Sequence, residues 1–168
     1  MKTTENSITV DVPVSRAYNQ WTQFEEFHLF MEGVKEVKQV DDKRLHWKAE
    51  IGGKVKEWDA EIFEQVPDQR ISWRSTGGAK NSGTISFTPL GSDRTELNLH
   101  LDYDPEGVAE NLGSAFGVVS ARVAGDLKRF KEFIESSPAG TGAWRGEIHG
   151  KEVQPAGSVR PSTGQRGV

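Results

Sequence analysis

Residues 95–134 read TELNLHLDYDPEGVAENLGSAFGVVSARVAGDLKRFKEFI. The hydrophobic period changes inside this stretch. Leu97, Leu99, Leu101 and Tyr103 alternate with polar residues, the pattern of a half-buried strand. After Asp104-Pro105 the spacing becomes helical, through Val108, Leu112, Ala115, Phe116, Val119, Val123, Leu127, Phe130 and Ile134. That predicts an amphipathic helix of about 28 residues, about 42 Å long. Ser136-Ser137-Pro138 ends it. An apolar sheet face and a long apolar helix face follow each other in the chain, and each needs a cover.

Upstream, the period is almost everywhere two. Asn6–Val12 alternates, with Ile8, Val10 and Val12 on one side, and Pro13 stops it. Ser15 is a candidate N-cap for a short helix through Trp21. A second short helical segment, Phe24–Met31, gathers Phe24, Phe27 and Met31, and Gly33 ends it. Six extended segments follow. They include Arg44–Ile51, the two-residue hairpin signal Gly52-Gly53, and Lys54–Val66 with Trp58, Ala60, Ile62 and Val66 inward. Short connections make neighbours antiparallel. The expected fold is α+β: a curved antiparallel sheet of six to seven strands wrapped round the long C-terminal helix. Two short helices follow the first strand. One helix cannot fill a wide curled sheet, so a cavity between them is expected.

The chain has 168 residues, enough for one domain, and carries a net charge of −4. That charge argues against nucleic-acid binding by phosphate neutralisation. No run of about 18 apolar residues is present to form a transmembrane helix, and MKTTENSITV offers no secretory h-region. Cysteine is absent, which excludes disulfides, thiolate catalysis and Cys-ligated metals. A soluble, cytoplasmic protein is expected. Composition shifts near residue 136: the last 33 residues hold seven of the 18 glycines and three of the seven prolines. The domain is placed at 1–147. Residues 148–168 are read as a disordered tail, with Trp144 and Ile148 as candidate docking residues.

Several local motifs carry a resemblance. Trp21-Thr-Gln-Phe24, Phe30-Met31-Glu32-Gly33-Val34 and Leu45-His-Trp-Lys-Ala-Glu-Ile-Gly-Gly53 are three of them. Glu57-Trp-Asp-Ala-Glu-Ile62, Ile71-Ser-Trp73 and Asp126-Leu-Lys-Arg-Phe-Lys131 are the others. Together with the element order they resemble the polyketide cyclase/dehydrase branch of the START-like, helix-grip superfamily. That branch includes coenzyme Q-binding START-like proteins. The resemblance covers roughly residues 5–147. Where such proteins often read Phe-Pro, this chain reads Phe27-His28. The resemblance implies a pocket for a hydrophobic, ring-containing molecule of the polyketide, quinone or lipid class. It does not imply a reaction.

Candidate ligand-binding residues come from inward positions. Trp47, Trp58, Trp73, Phe87, Tyr103, Phe116 and Val119 should project between sheet and helix, as pocket lining or as plain core. Arg122 and Asp126 lie four apart near the apolar arc of the long helix. They read as a polar anchor for a ligand or as a salt bridge tying helix to sheet. Glu57, Asp59 and Glu61 share an outer, solvated strand face. His28 is placed near the expected pocket rim, while His46 and His100 should face water. No zinc spacing, nucleophile elbow or phosphate loop is present, so no metal and no cofactor is expected. Gly113, Gly117, Ala121 and Ala124 form a small-residue stripe on the opposite helix side, suited to the Trp144 segment or a second protomer. Three functions stand open: a small-molecule binding module, an aromatase/cyclase-like enzyme, and a protein-interaction or stress-related module without a ligand.

Overall fold

The computed structural model describes residues 2–51, 53–104, 115–137 and 140–155. Strands β1 (Lys2–Val10), β2 (Val34–Gln39), β3 (Arg44–Ile51), β4 (Lys54–Val66), β5 (Arg70–Gly78), β6 (Asn81–Gly91) and β7 (Arg94–Tyr103) form one antiparallel sheet. Its order is β1-β7-β6-β5-β4-β3-β2. Helix α1 (Val14–Trp21) and a 3-10 helix (Phe24–Leu29) cross from β1 to β2. The long helix α2 (Ala115–Ser136) follows β7. Residues 108–112, the expected first part of that helix, lie outside the described residues. Two short strands, β8 (Glu147–His149) and β9 (Glu152–Gln154), bring the sheet to nine strands rather than six or seven.

The α2 pattern does what the sequence spacing dictates. Val119, Val123, Leu127, Phe130 and Ile134 are all buried. They face Val10, Ile62, Ile71, Ile85, Leu97 and Leu99 from the sheet within one core. Polar contacts fix the outer edge of α2 to β1 and its exit. Lys131 Nζ donates to the Thr9 carbonyl at 2.9 Å, and Glu135 accepts from the Asp11 N–H at 2.7 Å.

Three local readings need correction. Helix α1 begins one residue before Ser15, with Pro13 as its N-cap and no side-chain cap. The Pro13 carbonyl already receives the Arg16 and Ala17 N–H groups, and proline pre-sets the backbone there. The second short helix is a tight 3-10 turn that stops at Leu29, not Met31. In β4 the register shifts between Ile62 and Glu64, which moves the inward phase from Val66 to Gln65. One inserted residue flips every later side chain to the other face.

The domain boundary at 147 is also corrected, because residues 147–154 form a hairpin on β4. Ile148 is fully buried opposite Gln65. The preceding segment docks on α1: Trp144 N–H donates to Thr22 Oγ1 at 3.0 Å, and Trp144 packs on the core. Arg145 pairs with Asp68 at 2.8 Å and lies over the Tyr18 ring, 5.5 Å from its centroid. The Trp144 segment therefore does not cover the small-residue stripe. Ala121 and Ala124 are exposed, Gly113 lies outside the described residues, and of Gly117 only its helical backbone is described. Residues 156–168, the rest of the expected disordered tail, lie outside the described residues as well.

This strap contributes stability. Trp144→Ala should lower the unfolding free energy by about 1–3 kcal/mol, since the packing of a half-buried indole on the core is lost while the backbone bond to Thr22 remains. Urea denaturation checks this. An unchanged midpoint would mean that the strap rests on the surface without holding it.

Candidate functional site

The space between sheet and α2 is not uniformly filled. One end is packed by rings. Trp21 meets Phe130 edge-on at 4.9 Å, and Phe30 meets the same ring at 5.1 Å. Phe27 lies 5.7 Å from Trp47 and so joins the 3-10 helix to β3. Such ring pairs add about 0.5–1.5 kcal/mol each beyond their buried area. Past this cluster the side chains no longer meet, and two apolar chambers remain.

The first chamber holds about 180 Å³ and lies under α2 among Phe24, Phe27, Leu45, Ile62, Ile71, Leu99, Val123 and Leu127. The second holds about 150 Å³ and reaches towards Val119, Tyr103, Asn81 and the start of β6. Trp47, Trp58, Trp73 and Leu101 line both chambers and so form the partition between them. A dry cavity of about 150 Å³ is enough to take up benzene. The two together suit a larger ring-bearing molecule.

Local sequence places the three tryptophans. Trp47 and Trp58 are directly opposed across β3 and β4. Their rings stack with centroids 5.7 Å apart and planes 8° apart. Trp73 sits opposite Gly83 on β6. A Cβ on Gly83 would come within 2.7 Å of the Trp73 ring, so only glycine lets that indole lie over β6. The Trp73 N–H donates to Asn81 Oδ1 at 3.1 Å.

The polar end of the first chamber is built by α2 gripping the segment after the 3-10 helix. Arg122 Nη1 donates to the Glu32 carbonyl at 2.7 Å and to the Glu50 carbonyl at 3.3 Å. Asp126 Oδ1 accepts the Glu32 N–H at 3.0 Å, and Arg129 Nε donates to the Phe30 carbonyl at 2.9 Å. Both polar backbone groups of Glu32 are thus held by α2. Asp126 pairs with Arg129 at 2.5 Å, not with Arg122, its expected partner four residues away. The reason is geometric: the Glu32 peptide lies between the two side chains and takes one from each side. Gly33, at φ +89°, fits beneath Arg122, and a Cβ there would overlap the guanidinium. Burial pushes the Asp126 carboxyl up to about 6, against the opposing pull of Arg129, the Glu32 N–H and Arg122.

Tyr103 is the second polar feature. It is 3% exposed, and its hydroxyl has no hydrogen-bond partner among the described residues. Burial raises its pKa, so the phenol stays neutral. Of the remaining expected residues, Val119 lines the second chamber. Phe87 lines neither; it is core, edge-on to Tyr18 at 5.4 Å. Phe116 lies on α2 among residues whose side chains are outside the described set. His28 is exposed, bonded to the Glu25 carbonyl through Nδ1 at 3.1 Å, and does not line the chambers. His46 bridges Asp59 at 2.7 Å and Glu57 at 3.0 Å on the outer face, and Glu61 pairs with Arg74 and Lys43. Among the described residues no group of three acidic, His or Cys side chains is arranged to hold a metal. Sequence reading missed Leu101 as part of the partition, although its alternation with Tyr103 marked it as inward. It also missed the grip on Glu32, for which the only signal was Gly33.

Comparison with known proteins now places the chain. Residues 10–132 match the family described as polyketide cyclase/dehydrase and lipid transport. The chain belongs to that family. It is 46% identical over 149 residues to an uncharacterized 17.2 kDa protein of the melC2-rnhH intergenic region of Streptomyces lincolnensis. That match covers 88% of this chain and 99% of the relative. Among solved structures, DR_A0006 of Deinococcus radiodurans is 29% identical, with a TM-score of 0.61 over 78% of this chain and 95% of the other. The Zhui aromatase/cyclase of Streptomyces sp. R1128 superposes with a TM-score of 0.66 at 15% identity, over 80% and 93% of the two chains. A START superfamily protein of Mycobacterium smegmatis does so at 0.62 and 18%, over 79% and 94%. The last two likenesses establish the START-like, helix-grip fold.

The site has a measurable pH signature. Asp126 has a folded pKa near 6, above its unfolded value near 4. Its proton therefore stabilises the fold fully below about pH 4, and that contribution is lost as pH rises through 6. Relative to wild type, Asp126→Asn should gain up to about 2–3 kcal/mol of stability between pH 4 and pH 7. Parallel stability curves for the two proteins would refute this.

Gly33→Ala should cost at least about 1–2 kcal/mol, because φ is positive and Arg122 has to leave the Glu32 carbonyl. Thermal unfolding reads it.

Proposed function

We propose that this protein binds a hydrophobic, ring-containing small molecule, of the polyketide, quinone or lipid class, in the paired chambers between sheet and α2. The observation that carries this reading is the partition of Trp47, Trp58, Trp73 and Leu101. Trp47 and Trp58 stack on each other and, with Trp73, border both chambers instead of closing the space beneath α2. A core whose only task is stability closes such gaps, since unfilled volume forfeits contacts on every wall. Membership of a polyketide cyclase/dehydrase and lipid transport family supports the same ligand class.

A second reading is favoured by one observation. Asp126 lines the first chamber with a pKa near 6, in the range where a carboxyl exchanges protons efficiently at neutral pH. This supports an aromatase/cyclase-like enzyme that holds a poly-β-keto chain in shape while Asp126 moves a proton during aldol closure and dehydration. Arg122 is committed to two backbone carbonyls, which leaves it a positioning role. An Asp126→Asn variant that keeps ligand affinity and loses turnover of a poly-β-ketone would select this reading. Unchanged turnover would remove Asp126 from the chemistry.

The binding reading is tested by native mass spectrometry of the purified protein, solvent extraction, and tryptophan-quenching titrations. A co-purified quinone, lipid or polyketide, or quenching by such compounds, is the expected result. Leu101→Trp fills the wall shared by both chambers and should weaken binding more than about tenfold while the protein stays folded. An empty protein that no such compound quenches would overturn the reading.

A further inference from the structure

The second chamber differs from the first in two respects. Its wall carries a polar group without a partner among the described residues, the Tyr103 hydroxyl, on a side chain that is 97% buried. Leaving a buried hydroxyl without a partner is unfavourable, and native structures rarely retain one without a use. Its rim carries charge: Lys56 and Lys80 line it together with Asp104. The Asp104 backbone N–H is held by the Lys80 carbonyl at 3.1 Å, which fixes these two rim residues relative to each other. The rim therefore has two cationic side chains and one carboxylate, on a protein whose net charge is −4. The apolar walls of the same chamber include Trp47, Trp58, Trp73, Leu101 and Val119. Asn81 also lines it, but its side-chain oxygen is occupied by the Trp73 N–H.

We propose that the second chamber is a subsite for an oxygen-bearing aromatic carboxylate. The ring lies along the tryptophan partition. A ring oxygen, phenolic or carbonyl, takes the hydrogen bond of Tyr103. The carboxylate stays in the mouth with Lys56 and Lys80. The raised pKa of Tyr103 keeps its proton in place, so it remains a donor. This rests on the reading of the chambers as a ligand site, and it adds a polarity and a direction: oxygen inward, anion outward.

The test uses 6-hydroxy-2-naphthoate as probe. Its methyl ester serves as the neutral counterpart and 2-naphthoate as the counterpart lacking the hydroxyl, all followed by tryptophan quenching. The hydroxy acid should bind tightest. Tyr103→Phe should weaken it about 3–10-fold, leave 2-naphthoate unchanged, and raise the melting temperature of the free protein by about 2–4 °C. These opposite signs separate a ligand-binding hydroxyl from a structural one. The double variant Lys56→Gln/Lys80→Gln should weaken the acid at least about threefold at low salt and leave the ester unchanged. If the ester binds as tightly as the acid and Tyr103→Phe changes neither, the subsite is overturned while the cavity reading stands. If none of the three probes quenches while a quinone, lipid or polyketide does, the subsite alone is overturned.

Discussion

A single helix has to close the concave side of a seven-strand ladder. The buried row on α2, Val119 to Ile134, is one residue wide for most of its length. A strongly twisted sheet presents a broader apolar face than such a row can cover. The remaining width has to be filled by something else. At one end that filler is the aromatic cluster of the two short helices, where Trp21, Phe27 and Phe30 reach Phe130 and Trp47. At the other end no element among the described residues intervenes, and the chambers are what is left. The cavity is thus a consequence of element count and sheet curvature, and the tryptophans determine how it is divided.

The same constraint explains the polar grip of α2 on Glu32. A helix over a half-empty sheet lacks apolar contacts on that side to hold its position. Arg122, Asp126 and Arg129 supply directional bonds to the backbone of residues 30–32 instead. Hydrogen bonds to charged groups contribute about 1.5–3 kcal/mol each when well formed. They also tie the wall of the first chamber to the helix, so the chamber keeps its shape without being filled. Asp126 bears the cost, held among apolar neighbours with its carboxyl pushed to about 6.

Much of the fold was legible because alternation and 3.6 spacing report directly on which face is buried. The bounds of β3 and β4, and the row Val119–Ile134 on α2, follow from spacing alone. What spacing could not report is where the period is broken. The bulge in β4 that buries Gln65 has no signature in single-residue hydrophobicity. The β8–β9 hairpin was hidden by a glycine-rich composition, although Ile148, with Val153 packed on the core, carries its burial. For the site, the three tryptophans and Tyr103 were visible as inward residues. Phe87, of the same type and in the same phase, turned out to be core, because alternation gives the face of a strand and not the position along the helix that covers it.

Asp126 and Tyr103 share a property that separates them from the rest of the interior. Elsewhere local pattern, packing and polar pairing agree: Tyr18 is as buried as Tyr103, yet its hydroxyl is met by Gln65 at 3.0 Å and its ring by Arg145. Among the described residues Tyr103 has no such provision, and Asp126, although it pairs with Arg129 and accepts the Glu32 N–H, has its carboxyl pushed up to about 6 by burial. A stable fold with these two groups replaced by phenylalanine and asparagine is easy to write on the same backbone. That the chain instead has both, one in each chamber and on either side of the tryptophan partition, is hard to account for by folding alone. Sites that depart from local consistency in this way are where function is expected to act against stability. Among the described residues, a buried hydroxyl without a partner lines one chamber and a carboxyl pushed up to about 6 lines the other.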